Sequence, residues 1–216
     1  MERGQGPGAL SLAEEQREWT RGRIRRAAMK VLAERGLGAT VDDIAAAAGV
    51  SARTVFRHYA GADQLVAAAI EEMIDELGRP VEGLPDPTVD PRGWVATLVL
   101  AAHTRNAGIL GRVFWDIHNP APDTSPIVLA ALSNRRSLRA QWMTYIANGA
   151  WRAAGGTGPV PPALYESFSL LFSAFVTNAL AVEFDHSPEQ AAALTTDVLM
   201  TLLESAVARQ RPTVDW

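Results

Sequence analysis

Two arginines, Arg53 and Arg57, lie four residues apart in the segment SARTVFRHY at residues 51–59. In a helix, side chains at this spacing lie on one face, so both guanidinium groups would point the same way. A guanidinium group can donate two hydrogen bonds to O6 and N7 of a guanine, or bind a phosphate oxygen. In most helices such a pair is an ordinary solvated surface, so the surrounding elements decide whether it meets a nucleic acid.

The surrounding residues, 20–65, predict three short helices with clear boundaries. Gly36 and Gly49 are placed to end the first two helices, and Thr40 and Ser51 are good N-caps for the next two. A helix, a short glycine-containing turn and a second helix form a helix-turn-helix, whose second helix presents its N-terminal residues to base edges. The inward-facing apolar residues recur at helical spacing: Ile24, Ala27, Ala28, Val31, Leu32, Val41, Ile44, Ala45 and Ala48.

The same segment contains motifs in a specific order and spacing: Ala27-Ala28, Arg35-Gly36, Thr40-Val41-Asp42-Asp43-Ile44-Ala45, Ala48-Gly49-Val50-Ser51, Thr54-Val55-Phe56-Arg57-His58-Tyr59 and Leu65. In these residues, about one fifth of the chain, the sequence resembles the TetR family of bacterial transcriptional regulators. The resemblance implies an all-α protein of about nine helices. It also implies a helix-turn-helix DNA-binding domain at residues 1–61 and an effector-binding and dimerisation domain at residues 62–216.

Seven residues of this segment are candidates for contact with double-stranded DNA. Arg53 is the best candidate for reading a guanine, and His58 is expected to contact the DNA backbone rather than a base. Thr40 and Ser51 are first of all helix caps, although helix N-termini also attract phosphate. The full set is Thr40, Ser51, Arg53, Thr54, Phe56, Arg57 and His58.

Two places depart from the pattern of the family. Phe56 stands where the family commonly has a tyrosine, so a phosphate-binding hydroxyl is missing, and Tyr59 is expected to take a core position. Ala62 and Asp63 stand where the family commonly has a phosphate-binding lysine. DNA affinity would then depend more on basic residues near the first helix: Arg21, Arg23, Arg25 and Arg26.

The charge of the chain is divided unevenly. The net charge is −4, but residues 1–61 carry ten basic and seven acidic residues, whereas residues 62–216 carry ten and seventeen. The first part is therefore +3 and the second −7. This division suits a basic module that meets DNA and an acidic body that does not.

The composition argues against several classes of protein. There is no cysteine, so the chain has no disulfide framework and no thiolate metal site. The sequence has no apolar run of transmembrane length, and the N-terminal residues lack the apolar core of a signal peptide. We therefore expect a cytoplasmic protein without a membrane partner.

The remainder of the chain predicts helices separated by proline- and glycine-rich breaks. The loop RPVEGLPDPTVDPRG divides the sequence after the fourth helix, and HNPAPDTSP and GGTGPVPP interrupt it later. The predicted helices run over residues 62–77, 91–106, 109–118, 126–154, 162–183 and 188–209.

The aromatic residues of this second part predict a small-molecule cavity between helices. A core position is the better interpretation for any single aromatic residue, but a dense group of them commonly lines a ligand site. We expect a small apolar or aromatic effector that lowers DNA affinity, which would make the protein a repressor released from a palindromic operator. The candidate residues are Trp94, Leu98, His103, Phe114, Trp115, His118, Trp142, Tyr145, Phe172 and Asn178.

Two apolar stripes near the C-terminus predict a homodimer interface. The stripe on residues 162–183 contains Phe168, Phe172 and Phe175, and the stripe on residues 188–209 contains Leu199 and Leu203. Two such helices from each subunit could pack as a four-helix bundle. The alternative is that both stripes face the core of the monomer.

Two other classes of protein are weaker alternatives. A helical-bundle metalloenzyme could use His103, Asp116, His118, Glu183, Asp185 and His186, but the sequence has no Glu-x-x-His or His-Glu-x-x-His pair. It also lacks the G-x-S-x-G motif of a serine nucleophile. An architectural DNA-binding protein without an effector would not need the large aromatic-rich second part. We therefore predict no enzymatic activity and no cofactor.

Overall fold

The computed structural model describes residues 11–109 and 116–210, which contain helices and no strand. The helices are α1 (Leu12–Arg35), α2 (Val41–Ala48), α3 (Ala52–His58), α4 (Ala62–Leu77), α5 (Pro91–Ile109), α6 (Pro126–Ala153), α7 (Pro162–Leu171), α8 (Ala174–Phe184) and α9 (Pro188–Ala208), with a 3-10 turn at Gly36–Gly38. The predicted all-α class is confirmed. The predicted helix at residues 109–118 lies mostly outside the described residues.

The first helix begins earlier than the helix-turn-helix requires. Ser11 Oγ accepts a hydrogen bond from the Glu14 backbone N–H at 3.3 Å, and the Glu14 carboxylate accepts one from the Ser11 N–H at 2.8 Å. This capping box starts α1 firmly, and the buried Gly22 does not interrupt it. Residues 11–19 therefore form an exposed helical arm ahead of the helix-turn-helix.

The helix-turn-helix has the boundaries that the sequence predicts. Thr40 Oγ1 accepts from the Asp43 N–H, and Ser51 Oγ accepts from the Thr54 N–H, each at 3.2 Å. Gly49 ends α2 with φ 62° and ψ 39°, a left-handed conformation that favours glycine. These local interactions fix where α3 begins.

Two apolar clusters form the interior. The N-terminal cluster joins α1–α4 to the first half of α6, and its members include Ile24, Leu32, Ile44, Val55, Leu65, Ile70 and Leu132. Helix α4, which the predicted boundary at residue 61 places in the second domain, thus packs in the same cluster as the helix-turn-helix. The body cluster joins α5, the second half of α6, α7 and α9, and includes Trp94, Val99, Trp151, Phe168, Leu199 and Leu203.

Tryptophans of the body pack directly on glycines. A Cβ at Gly149 would lie 2.8 Å from Trp94, and one at Gly78 would lie 2.6 Å from Trp142. A Cβ atom would clash with the indole at both distances, so each tryptophan can approach the backbone this closely only because the residue is glycine. Trp142 contacts both clusters and joins the end of α4 to α6.

The prediction of a single helix at residues 162–183 is wrong, because this segment forms two helices, α7 and α8. The two helices are bent by 56°. Ser173 Oγ accepts from the Val176 N–H at 3.4 Å and caps α8, while Asn106 Nδ2 donates to the Phe172 carbonyl at 3.2 Å. Asn106 on α5 thereby satisfies a carbonyl that the break releases.

Helix α9 is the one described helix long and apolar enough, by length and composition, to cross a membrane. If the bent pair α7 and α8 is counted as one span, it passes the same test. Within α9, Leu199 and Leu203 are buried in the body cluster against the rest of the chain. A core helix of a packed bundle has the same composition, so this result is weak support for a membrane span.

Candidate functional site

The outer face of α3 carries the arginine pair. Arg53 and Arg57 are exposed, and so is Phe56, with 54% of its surface accessible. Val55 and Tyr59 are buried on the opposite side and hold α3 against the N-terminal cluster. The predicted burial of Tyr59 is confirmed, and its hydroxyl lies 3.4 Å from the Arg21 carbonyl. The helix therefore presents two guanidinium groups and one aromatic ring to solvent.

The capping residues lie beside this face. Thr40 and Ser51 are exposed, and Ser51 Oγ is 2.9 Å from Thr54 Oγ1. Their predicted role as helix caps is confirmed. Contact between DNA and Thr40, Ser51 or Thr54 stays a prediction.

The arm of α1 contributes to the same surface. Glu14, Arg17, Glu18, Arg21, Arg57 and His58 line one cleft of about 360 Å³ between this arm and the end of α3. Burial lowers the pKa of His58 below its ordinary value, and the charges of Arg57, Arg21 and Arg17 lower it further. The lining thus has three arginines and two glutamates, and this small positive excess favours phosphate. Arg17 is not among the predicted residues, although the Ser11–Glu14 capping box indicates a helix there.

The four basic residues predicted to support DNA affinity divide into two kinds. Arg25 forms an ion pair with Glu72 of α4 at 2.9 Å, and Arg23 donates to the Gly49 carbonyl at 3.0 Å. Both arginines thus stabilise the fold between α1 and its neighbours. Arg21 and Arg26 are exposed, and the Arg21 guanidinium lies 5.5 Å from the centre of the Tyr59 ring.

The predicted ligand residues do not gather in one described cavity. Trp94, His103 and Phe172 are buried in packed surroundings, while Leu98, Trp142 and Asn178 are half-buried. Tyr145 and His118 are exposed, and the His118 ring lies 4.6 Å from that of Phe175. Phe114 and Trp115 lie outside the described residues.

His103 is a bonded core residue in this structure. Its Nδ1 is 2.7 Å from Thr177 Oγ1 and its Nε2 is 3.0 Å from Thr195 Oγ1. Asn106 Nδ2 also donates to Thr177 Oγ1, at 3.3 Å. Burial lowers the pKa of His103, so the ring is neutral at neutral pH. The network joins α5, α8 and α9 and leaves neither ring nitrogen for a ligand.

The predicted dimer stripes require a correction. Phe168, Phe172, Leu199 and Leu203 are buried within the single chain, because α7 and α9 turn these side chains into the body cluster. Of the predicted interface residues, Phe175 is partly exposed. The outward-facing apolar residues of α7–α9, here named the C-terminal patch, are Leu170, Phe175, Val182, Phe184, Leu194 and Val198.

A hydrogen bond joins the turn after α1 to the segment that precedes α6. Asp116, which precedes α6, accepts a hydrogen bond from the Leu37 N–H in the 3-10 turn at 2.7 Å. A cavity of about 300 Å³ is lined by residues of α1, α4 and the end of α5, among them Leu32, Ile70 and Met73. Among the described residues, no group of three or more His, Asp or Glu side chains could hold a metal ion.

An exposed basic helix within a helix-turn-helix, joined to an all-helical body, defines a class of DNA-binding regulators. Residues 24–69 match the sequence model of the family described as bacterial regulatory proteins, tetR family. Over this segment, which contains the helix-turn-helix, the chain is therefore similar to the TetR family.

Individual relatives agree with this assignment. The chain is 38% identical over 55 residues to the HTH-type transcriptional regulator YvaF of Bacillus subtilis, covering 26% of this chain and 29% of YvaF. It is 32% identical over 100 residues to the HTH-type transcriptional repressor SCO4008 of Streptomyces coelicolor, covering 46% of this chain and 50% of that protein. These matches thus span no more than half the length of either relative.

The likeness in fold extends further than the likeness in sequence. A transcriptional regulator from Pseudomonas aeruginosa PAO1 has a similar structure, with a TM-score of 0.66 and 19% identity. The superposition covers 93% of this chain and 97% of the other. The body therefore has the same fold as this regulator.

Proposed function

We propose that the protein is a homodimeric repressor that binds a palindromic DNA site through α3 and releases it when a small molecule binds the body. The observation that carries the proposal is the exposed face of α3. Arg53 and Arg57 share this face, and Arg57 also lies with Arg17 and Arg21 around His58 in the neighbouring cleft. A regulator that reads DNA with a recognition helix needs such a surface in the major groove.

The DNA contact is tested by a matched pair of arginine variants. The operator is first mapped by selection from random duplexes, and affinity is then measured by fluorescence anisotropy at several salt concentrations. Arg53→Ala should weaken binding by about 1–3 kcal/mol if Arg53 reads a guanine. Arg152→Ala, an exposed arginine on α6, is the control and should leave affinity unchanged. Equal affinities for wild type and Arg53→Ala would remove Arg53 from the contact.

The dimer would form through the C-terminal patch. Val182 and Leu194 have 69% and 44% of their surface accessible, which is unusual for branched apolar residues on a helical body. A twofold pairing of α8 and α9 would bury them and set the distance between two recognition helices. Sedimentation of Val182→Glu and Leu194→Glu should show monomers, whereas Leu129→Glu on α6 should remain dimeric. Dimers in all three variants would place the interface elsewhere.

Regulation would act through the packing contact between α1 and α4. Helix α4 shares the N-terminal cluster with α1, the Arg25–Glu72 ion pair links the two helices, and Asp116 holds the turn after α1. The cavity beside α1 and α4 leaves room for their packing to change. An effector that favours a tilted α4 lowers DNA affinity by as much as it prefers that form. Adding candidate effectors to the operator titration tests this coupling, and a ligand that binds without changing operator affinity would contradict it.

A further inference from the structure

Helix α6 carries two half-buried arginines, one of which contacts α7. Arg135 and Arg139 are one helical turn apart, and Arg139 donates a hydrogen bond to the Ser169 backbone oxygen on α7. Among the described residues, Arg135 Nε is buried without a hydrogen-bond partner, and so is Ser169 Oγ. Each of these two atoms therefore lacks the partner that a buried polar atom normally has.

The charges around the pair are repulsive. None of the ion pairs formed by the described residues includes Arg135 or Arg139. Burial, with repulsion from Arg139 and Arg136, lowers the pKa of Arg135 to about 10, and burial also lowers the pKa of Arg139. Both groups still carry a positive charge at neutral pH. A half-buried charge without a counter-ion carries a desolvation cost, which a bound anion would offset.

Aromatic residues flank the pair at helical spacing. Trp142 follows Arg139 by three residues on α6, and Tyr165 precedes Ser169 by four residues on α7. Phe172 comes directly after the end of α7. Side chains at these spacings are neighbours on a helix surface. The charge of Tyr165 acts to raise the pKa of Arg139, against the effect of burial. An anion at the arginine pair would therefore have apolar rings beside it.

We propose that Arg135, Arg139 and Ser169, here named the α6–α7 arginine site, bind the carboxylate of a small amphipathic effector. The apolar part of the effector would pack beside Trp142, Tyr165 and Phe172. Guanidinium groups bind carboxylates through paired hydrogen bonds, and the Ser169 hydroxyl offers a further donor. This inference rests on the proposed function, because it names the chemical class of the effector.

The first test needs no ligand. If Arg135 is an unpaired charge that awaits an anion, Arg135→Met should raise the Tm of the ligand-free protein by about 2 °C or more. Arg136→Met, at an exposed position on the same helix, is the control and should leave Tm unchanged. A lower Tm for Arg135→Met than for Arg136→Met would mean that the protein itself satisfies Arg135, and would overturn the proposal.

The second test uses pairs of probes with the same carbon skeleton, one a charged carboxylate and the other its neutral amide. 2-Naphthoate and octanoate should raise the Tm of the wild-type protein and change its tryptophan fluorescence, whereas 2-naphthamide and octanamide should do neither. Arg135→Gln and Arg139→Gln should weaken carboxylate binding at least tenfold, and Arg136→Gln should not. Inorganic phosphate serves as the bare anion and should bind more weakly than 2-naphthoate. Carboxylates that bind no better than their amides, or equally well to Arg135→Gln, would overturn the proposal.

Two outcomes separate this site from its alternatives. If Arg135→Gln shifts the monomer–dimer equilibrium, and carboxylates have no effect, the acceptor is a carboxylate of a second copy of the chain, and the proposal fails. If carboxylates bind at Arg135 but leave operator affinity unchanged, the site stands and its role in the proposed regulation fails.

Discussion

Polar residues have opposite surroundings in the two halves of the molecule. On α3, Arg53 and Arg57 face solvent, while Val55 on the other side fixes the helix in the N-terminal cluster. In the body, His103 and Thr177 face each other in the interior. A polar residue on an otherwise apolar helix is thus part of an exposed surface in one half and of a structural network in the other. Burial decides between them, because a buried polar group must be bonded internally.

Aromatic residues give the same contrast. Trp19 on the arm of α1 is 59% exposed and lies against the Arg23 guanidinium, whereas Trp151 has no accessible surface and packs against Gly156. A cluster of aromatic residues in the sequence therefore does not by itself indicate a cavity. Four comparisons between variants test how far this difference between the halves extends.

The largest effect is expected from removal of a buried indole. Trp151→Ala should lower the free energy of unfolding by about 3–5 kcal/mol, because it leaves a cavity in the body cluster. Trp19→Ala should change it by about 0.5 kcal/mol or less. Urea unfolding followed by circular dichroism measures both. Similar losses would show that the arm of α1 is part of the core.

A smaller loss is expected when one member of the buried network is removed. Thr177→Val should cost about 1–3 kcal/mol, because it leaves His103 Nδ1 without its partner. The control is Thr144→Val on α6, where an exposed hydroxyl donates only to the carbonyl of Ala140 in its own helix. Thermal and urea unfolding of the pair provide the comparison. Equal stabilities would contradict the structural role of the network.

The hydrogen bond between the Leu37 N–H and Asp116 should be worth less. Asp116→Ala removes the acceptor of the Leu37 N–H and should cost about 1.5 kcal/mol, the lower end for a bond to a charged group. Hydrogen exchange at the Leu37 amide should become faster in this variant. Asp123→Ala, at an exposed site in the loop before α6, should alter neither quantity. If the exchange rate is unchanged in Asp116→Ala, the Asp116 carboxylate does not protect the Leu37 amide.

The smallest effect concerns pH. Burial lowers the pKa of His103 in the folded state, so the unfolded state binds a proton more readily. The stabilising contribution is present above the ordinary histidine pKa of about 6.5 and is lost as the pH falls through the lower, folded-state value. Stability measured between about pH 7 and pH 5 should therefore fall more steeply in wild type than in His103→Gln. Parallel curves would show that another group controls this range.

Much of the first half could be predicted from the sequence. Thr40, Ser51 and Gly49 set the boundaries of α2 and α3 through contacts within a few residues, and the structure has those boundaries. The exposed arginines follow, because the positions of Val55 and Tyr59 fix which side of α3 faces inward. Arg25 could not be assigned in this way, because its partner Glu72 is 47 positions away on α4.

The body was predicted less completely. Pro91, Pro126 and Pro188 begin helices as the sequence indicates, because proline suits the first turn of a helix. The break at Phe172 was not predicted, since it depends on Asn106 from α5. Likewise, an apolar stripe on α9 shows that one side is buried but does not show whether a partner or the chain itself buries it.

The sequence by itself determined the helix caps, the left-handed turn at Gly49 and the outward direction of Arg53 and Arg57. These features depend on hydrogen bonds and backbone conformations within about four residues. They can therefore be predicted from the types and order of neighbouring residues. Only the tertiary structure decided that Phe168 and Leu199 face the core, that Thr177 bonds to His103, and that Arg139 bonds to Ser169. Each of these depends on which helices pack together, and that choice is made by the whole chain, because burial and shape fit must be satisfied at all contacts together.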